Sequence, residues 1–275
     1  MSNERLPVTL SVQPWFQDHS FTGTIVLPAV ESLLLLVAQV AKAFPGADIS
    51  VMEDMRFAKF LEIPPEATEL DVLVEFSPDG DRVGAQLLTR KTCGKMSRIK
   101  EHSQVFFPLT KSEEHPPSRI DPTQPANPLL EIPVEQLYRE LVPFGRQYQT
   151  LQDTLFLHED SAWAVVKAPA LPFIYTVQEQ LGSPFPLDGA MHAASVLGQQ
   201  KVDFTPLPVG IDQRIILRPT QPDGEYLTKV SAVVLSEKEL VFDLLIFDGK
   251  GLVYEVVKGL RMRDTVISSK SKGRF

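Results

Sequence analysis

Two short patterns in this chain put acid–base side chains at fixed offsets. His19, Gly23 and Pro28 form H-x-x-x-G-x-x-x-x-P, and Asp188 with His192 forms D-x-x-x-H. A histidine with an ordinary pKa near 6.5 is mostly neutral at pH 7 and can take a proton as a general base. A carboxyl can give one if its pKa is raised, and Asp188 is pulled two ways. The N-terminus of its helix favours the anion by about 0.3–1 kcal/mol. Burial favours the protonated form by up to roughly 3–5 pKa units. In a dry pocket Asp188 is an acid; in a wet one it is an anion that orients a leaving group or, through a water, the histidine. His192, one turn further along the same helix face, can hold it by a hydrogen bond. The competing readings are a surface turn at His19 and a helix cap at Asp188.

Each pattern sits beside a helix that must be buried. Ala29 to Phe44 has no Gly or Pro and is rich in Leu and Ala, which predicts a helix entered at Pro28 and stopped by Pro45 and Gly46. Only Glu31, Ser32, Gln39 and Lys42 interrupt its apolar surface. A helix apolar almost all round is buried almost all round, most simply by a curved sheet wrapped about it. The runs "ISVMEDMRFAKFLEI", "TELDVLVEFSP", "RVGAQLLTRK" and "HSQVFFPL" read as its strands. A proline-crowded polar stretch follows, and then the plan repeats. "PVEQLYRELV" is a short amphipathic helix and "TLFLHEDSAWAVVKAP" a hairpin. "LDGAMHAASVLGQQ" is a second helix, small and apolar on one side, and three strand-like runs from "LPVGIDQRIIL" to "LVYEVVKGLRMR" close the chain. The expected fold is α+β, in two halves of helix plus antiparallel sheet: residues 1–115, a linker at 116–131, and residues 132–275.

Composition narrows the function. The 275 residues are 43% hydrophobic and 23% charged, with a formal net charge of -8. That balance supports a sizeable core and excludes the dense basic surface of a nucleic-acid binder. The single cysteine, Cys93, permits no intramolecular disulfide and fits a reducing compartment. Its basic setting "RKTCGKM" can lower a thiol pKa, but no histidine partner stands beside it. The N-terminus lacks a signal-peptide pattern, and the longest apolar run is far shorter than the roughly 20 residues of a membrane span. The expectation is a cytoplasmic protein that avoids membranes. His102, His115 and His158 lack metal-site spacing, and there is no G-x-S-x-G and no glycine-rich phosphate loop.

The two patterns, in this order and about 170 residues apart, resemble the dehydratase domains of polyketide and fatty-acid synthases. "PFPLDGAMHAASVLG", the following "LPVGIDQRIIL" and the closing "VYEVVKGLRMR" resemble the same family, from roughly Pro7 to Arg263. The resemblance implies a double hotdog fold, with His19 as catalytic base and Asp188 as catalytic aspartate. One motif departs: where many members carry Y-G-P-x-F, this chain has "FGRQY". Gly145 is kept, but Phe144 replaces the tyrosine, Arg146 the proline and Tyr148 the phenylalanine. If the family tyrosine binds or protonates substrate, that role is lost or moved to Tyr148.

The implied reaction is loss of water from a 3-hydroxyacyl thioester to give a 2,3-enoyl thioester. The acyl chain arrives on the phosphopantetheine arm of an acyl carrier protein, with synthase modules as further partners and no cofactor or metal in the domain itself. Coenzyme A as carrier and a homodimer stay open, and the chain reads as a discrete enzyme or an excised domain. Gly23 is expected to let backbone N–H groups approach the thioester oxygen, and Pro28 to fix the strand-to-helix corner. Phe144, Gly145, Tyr148 and His192 complete the expected substrate-binding set. Arg146, Arg214 and Arg218 are candidates for a basic carrier-docking patch, since carriers are usually acidic and the chain is net negative. Same-fold rivals are a product-template-like cyclase and a double-bond isomerase; a non-catalytic acyl-thioester binding module is the rival of another class.

Overall fold

The structure is a computed structural model and describes residues 5–21, 23–93, 96–111 and 116–265. His115 and the side chain of Cys93 lie outside the described residues. The chain begins with β1 (Arg5–Ser11), a small hairpin of β2 (Ser20–Phe21) and β3 (Thr24–Ile25), and α1 (Ala29–Ala43). Strands β4 (Val51–Phe57), β5 (Glu69–Asp79), β6 (Arg82–Cys93) and β7 (Met96–Pro108) follow. The second set runs β8 (Leu130–Pro133), α2 (Val134–Glu140), β9 (Leu151–Leu157), β10 (Ser161–Lys167), α3 (Gln178–Leu181) and α4 (Phe185–Gly198). It ends with β11 (Leu207–Ile216), β12 (Glu225–Leu235), β13 (Leu240–Phe247) and β14 (Val253–Arg263). Sequence reasoning missed β1, the β2–β3 hairpin, β8 and α3, all short or at an edge.

Twelve strands form one sheet in the order β1-β5-β6-β7-β4-β11-β14-β13-β12-β10-β9-β8. Every pairing is antiparallel, and β4 with β11 joins the strands of the first set to those of the second, with Ile211 opposite Met55 and Ile215 opposite Val51. The two long helices lie against this sheet as their composition demands. Residues 30–37 of α1 are all buried, and so is all of α4 from Phe185 to Gly198. Helix α1 packs on β6 and β7, α4 packs on β9, β10, β12 and β13, and the two helices touch each other.

Local devices set the entrance of α4. Gly182, at φ +85°, sits so close to Thr220 that a Cβ would collide with its backbone. The Ser183 N–H donates to the Thr220 carbonyl at 3.0 Å, and the Thr220 hydroxyl donates back to the Ser183 carbonyl at 2.9 Å. Gly189, next to Asp188, lets the helix lie against the Thr150 hydroxyl and Val166, where a methyl group would collide. The carboxyl of Asp188 is held in depth by these two close approaches.

Candidate active site

His19 follows a 3-10 turn (Pro14–Asp18) and begins the β2–β3 hairpin. The Val26 N–H donates to the His19 carbonyl at 3.0 Å, and His19 Nδ1 lies 2.9 Å from the Val26 carbonyl oxygen. A carbonyl only accepts, so Nδ1 carries the hydrogen and Nε2 keeps its lone pair. Burial pushes the His19 imidazole down to about 4, against the opposing pull of its backbone hydrogen bonds. It is neutral at pH 7, with a free ring nitrogen.

Asp188, on the first turns of α4, is 5% exposed. Burial first, and the charge of Glu31 second, push its carboxyl up to about 8. Desolvation therefore outweighs the helix terminus, and Asp188 holds its proton at neutral pH. Its Oδ2 lies 3.2 Å from His192 Nε2, yet no hydrogen-bond geometry is met there, so that oxygen is left without a partner among the described residues. His192 is fixed from its other side. The Tyr138 hydroxyl accepts from the Leu151 N–H at 3.0 Å and lies 3.2 Å from His192 Nδ1, which holds the ring with Nε2 toward Asp188. Burial keeps this second imidazole neutral as well, at about 3.

His19, Asp188 and His192 all line one cavity of about 420 Å³. Its inner wall is apolar, with Phe144, Met191 and Met262. Phe144 stacks on both imidazoles, 4.5 Å from His19 and 5.0 Å from His192 between ring centroids. The lining also includes Lys59 and Phe60, which are exposed, with Lys100 and His102. His102 is held by the Thr89 hydroxyl at 2.8 Å and the Lys59 carbonyl at 3.1 Å. These four escaped the sequence reading, because no local pattern marks the loop after β4 or the strand β7 as facing a cavity.

Several expected residues are placed differently. Gly23 is exposed, turns the β2–β3 hairpin at φ +82°, and is not in the cavity wall; a Cβ there would meet nothing within 4 Å. Its glycine answers a backbone need, not a close approach to substrate. Pro28 sits at the entrance of α1, as the corner reading requires. Gly145 makes room for Asp18, whose Cβ would lie 2.7 Å from an added methyl, and donates its N–H to the Asp18 carbonyl at 2.7 Å. With the Gln147 N–H donating to Asp18 Oδ2 at 2.9 Å, the "FGRQY" segment is clasped to the residue before His19. Tyr148 is fully buried, with its ring centroid 5.0 Å from that of His19 in an edge-on contact and its hydroxyl without a partner among the described residues.

The three arginines do not form a docking patch at this cavity. Arg214 is 2% exposed and pairs with Glu255 through two bonds of 2.7 and 3.1 Å. A guanidinium spent on a buried carboxylate is structural. Arg218 donates to the Val253 carbonyl at 2.7 Å. Arg146 is exposed but borders a separate surface hollow with Lys167 and Asp223. Among the described residues no group of acids, histidines and cysteines is arranged to hold a metal ion, and no helix is long and apolar enough to cross a membrane.

Two family models cover most of the chain. Residues 4–90 match one described as polyketide synthase dehydratase domain, and residues 118–271 match one described as polyketide synthase dehydratase N-terminal domain. The chain belongs to the polyketide synthase dehydratase family. Its fold agrees with solved dehydratase domains. The CurF-module dehydratase of the curacin polyketide synthase is 20% identical, with 94% of this chain and 92% of that one covered at a TM-score of 0.72. A trans-AT polyketide synthase dehydratase domain from Brevibacillus brevis is 19% identical, with 96% and 94% covered, also at 0.72. At these identities the likeness establishes the architecture, which is the double hotdog. A comparison with curated protein sequences finds no match.

Proposed function

We propose that this dehydratase-family chain removes water from a 3-hydroxyacyl thioester, with His19 as base and Asp188 as acid. The observation that carries the reading is the shared cavity: a neutral imidazole with a free nitrogen and a protonated, unpartnered carboxyl line one apolar tunnel. In this reading His19 Nε2 takes the α-proton, and the electron pair of that C–H bond forms the double bond. The C–O bond at the β-carbon breaks as Asp188 delivers its proton, so the hydroxyl leaves as water. The imidazolium then returns its proton to Asp188, directly or through the released water, and the site is reset with no net redox change.

The tunnel mouth supports a substrate delivered on a long arm. Lys59 and Lys100 suit the phosphodiester of a phosphopantetheine arm on an acyl carrier protein, and the apolar inner wall suits the acyl chain. The domain needs no cofactor of its own in this scheme. Incubation with a 3-hydroxyacyl pantetheine thioester, followed by mass spectrometry, tests the proposal through a loss of 18 Da, the mass of one water, about 18 by elementary stoichiometry. A shifted double bond without loss of water would make the chain an isomerase, a ring closure a cyclase, and binding without turnover an acyl-binding module.

A further inference from the structure

Among the described residues three serines line the cavity, Ser32, Ser103 and Ser195, and they differ in how their hydroxyls are used. The Ser32 hydroxyl donates to the Ala29 carbonyl at 2.8 Å, and that of Ser195 to the Pro206 carbonyl at 2.9 Å. The Ser103 hydroxyl has no partner among the described residues, although the residue is only 1% exposed. A buried hydroxyl left unpaired costs stability, so its presence calls for a reason. The strand sharpens the point. Phe107, Val105 and Ser103 occupy alternate positions of β7, the strand that packs with β6 on α1. The first two belong to the apolar core, and the serine stands where that row reaches the cavity.

The register of β7 shifts at the same place. Leu87 faces Ser103 and Leu88 faces Glu101, so His102 is an extra residue, and both His102 and Ser103 line the cavity. The His102 ring is already engaged, by the Thr89 hydroxyl and the Lys59 carbonyl. The Ala58 N–H donates to the His102 carbonyl at 2.8 Å, and the Lys100 ammonium to the Phe60 carbonyl at 3.2 Å. These bonds tie the exposed loop of Lys59 and Phe60 to β7. Burial rises along the strand from half-buried Lys100 to buried His102 and Ser103. Ser103 therefore lies further in than the two lysines, about 10 Å along β7 from Lys100 at about 3.3 Å per residue.

We propose that Ser103 binds the arm that carries the substrate, donating its hydroxyl hydrogen to an amide carbonyl of the pantetheine. The inference rests on the reading of the substrate as a thioester borne on that arm. With the phosphodiester at Lys59 and Lys100, the two amide carbons of the arm follow about 5 and 9 bonds further in. At about 1.2 Å of extended chain per bond, that is about 6 and 11 Å. Ser103 falls on the same length scale. An amide carbonyl accepts a hydrogen bond without carrying a charge, which suits a neutral donor set in an apolar wall.

Ser103→Ala removes the hydroxyl alone. Two thioesters of one 3-hydroxyacyl group read the contact: that of pantetheine, and that of propanethiol, which has no amide. The variant should raise KM for the pantetheine thioester relative to the propyl one by about fivefold to tenfold, the contribution of one neutral hydrogen bond, with kcat unchanged. Its melting temperature should equal or exceed that of the wild type, because no protein partner is lost. An unmoved KM ratio, or a loss confined to acyl chains bearing a further oxygen, would overturn the assignment to the arm. A melting temperature lowered by several degrees would give the hydroxyl to the fold instead. Failure of the dehydratase reading shows separately, as a wild type that turns over neither thioester. Calorimetric binding of butyryl pantetheine, which has no hydroxyl on its acyl chain to lose, then carries the test. Ser103→Ala should weaken that binding by about fivefold to tenfold. Equal affinities, or no binding to the wild type, would overturn the inference.

Discussion

The Phe144 ring lies flat against the His19 imidazole, with 4.5 Å between centroids and 9° between planes. The family tyrosine position thus supplies a wall, not a hydroxyl. Phe144 shields one face of His19 from water, and burial is the leading cause of the depressed imidazole. Phe144→Ala should therefore raise the His19 titration from about 4 toward its ordinary 6.5. An NMR titration of the imidazole checks this, and a titration left near 4 would assign the desolvation to other neighbours. The lost ring should also cost about 3 kcal/mol of stability, the lower end for Phe→Ala because one side of the ring already faces the cavity.

Charge at the tunnel mouth should matter for carrier-bound substrate and much less for a short thioester. Lys59→Glu with Lys100→Glu should raise KM for a carrier-bound 3-hydroxyacyl substrate about 10-fold or more, with the effect shrinking in high salt. Arg146→Glu, at the separate hollow, should leave that KM within about twofold. The reverse pattern would return docking to the "FGRQY" side.

The fold was legible because the sequence of α1 advertises burial on almost every face, and a helix of that kind leaves a wrapped sheet as the economical cover; α4 advertised an apolar surface on one side only. That His19 and Asp188 would line one cavity was legible because each pattern adjoins one of those helices. Its electrostatics were not. Whether Asp188 is dry depends on Gly189, Thr150, Phe144 and Tyr138, which meet only in three dimensions. Gly23 was misread because a glycine needed for a positive φ and one needed for ligand approach look alike in sequence. Arg214 was misread because its partner, Glu255, lies 41 residues away on the neighbouring strand. Glu31 did leave a signal: an acid interrupting an otherwise apolar helix must be buried with it.

Stability should depend on pH from both sides of the site. Glu31 and Asp188 have raised carboxyls, so their contribution is full below their ordinary values of 4.5 and 3.8 and is lost as pH rises through about 7 and 8. His19 and His192 are depressed, so theirs is full above 6.5 and is lost as pH falls through about 4 and 3. All four slopes act between pH 4.5 and 6.5, two against two; above 6.5 only the carboxyl slopes remain, and below 4.5 the imidazole slopes outweigh that of Asp188. Denaturant midpoints should be flat within that window and fall on either side. Asp188→Asn should weaken the alkaline decline and leave the acid one in place. An alkaline decline of wild-type size in that variant would mean that Asp188 is ionised in the native protein.

The roles of His19 and Asp188 separate in one experiment. Loss of a general base or acid typically costs about 10²–10⁴ in rate. His19→Ala should bring dehydration below detection, because no other side chain at the β2–β3 hairpin offers a free basic nitrogen to the cavity. Asp188→Asn keeps the size and the hydrogen-bonding capacity of the side chain but has no acidic proton to give. If Asp188 is the acid, this variant should still exchange the substrate α-proton with deuterated water while releasing no water, since His19 retains its free Nε2. If Asp188 merely orients the substrate, exchange and dehydration should fall together and by a smaller factor. Full dehydration by Asp188→Asn would leave His19 as the sole acid–base group and remove Asp188 from the mechanism.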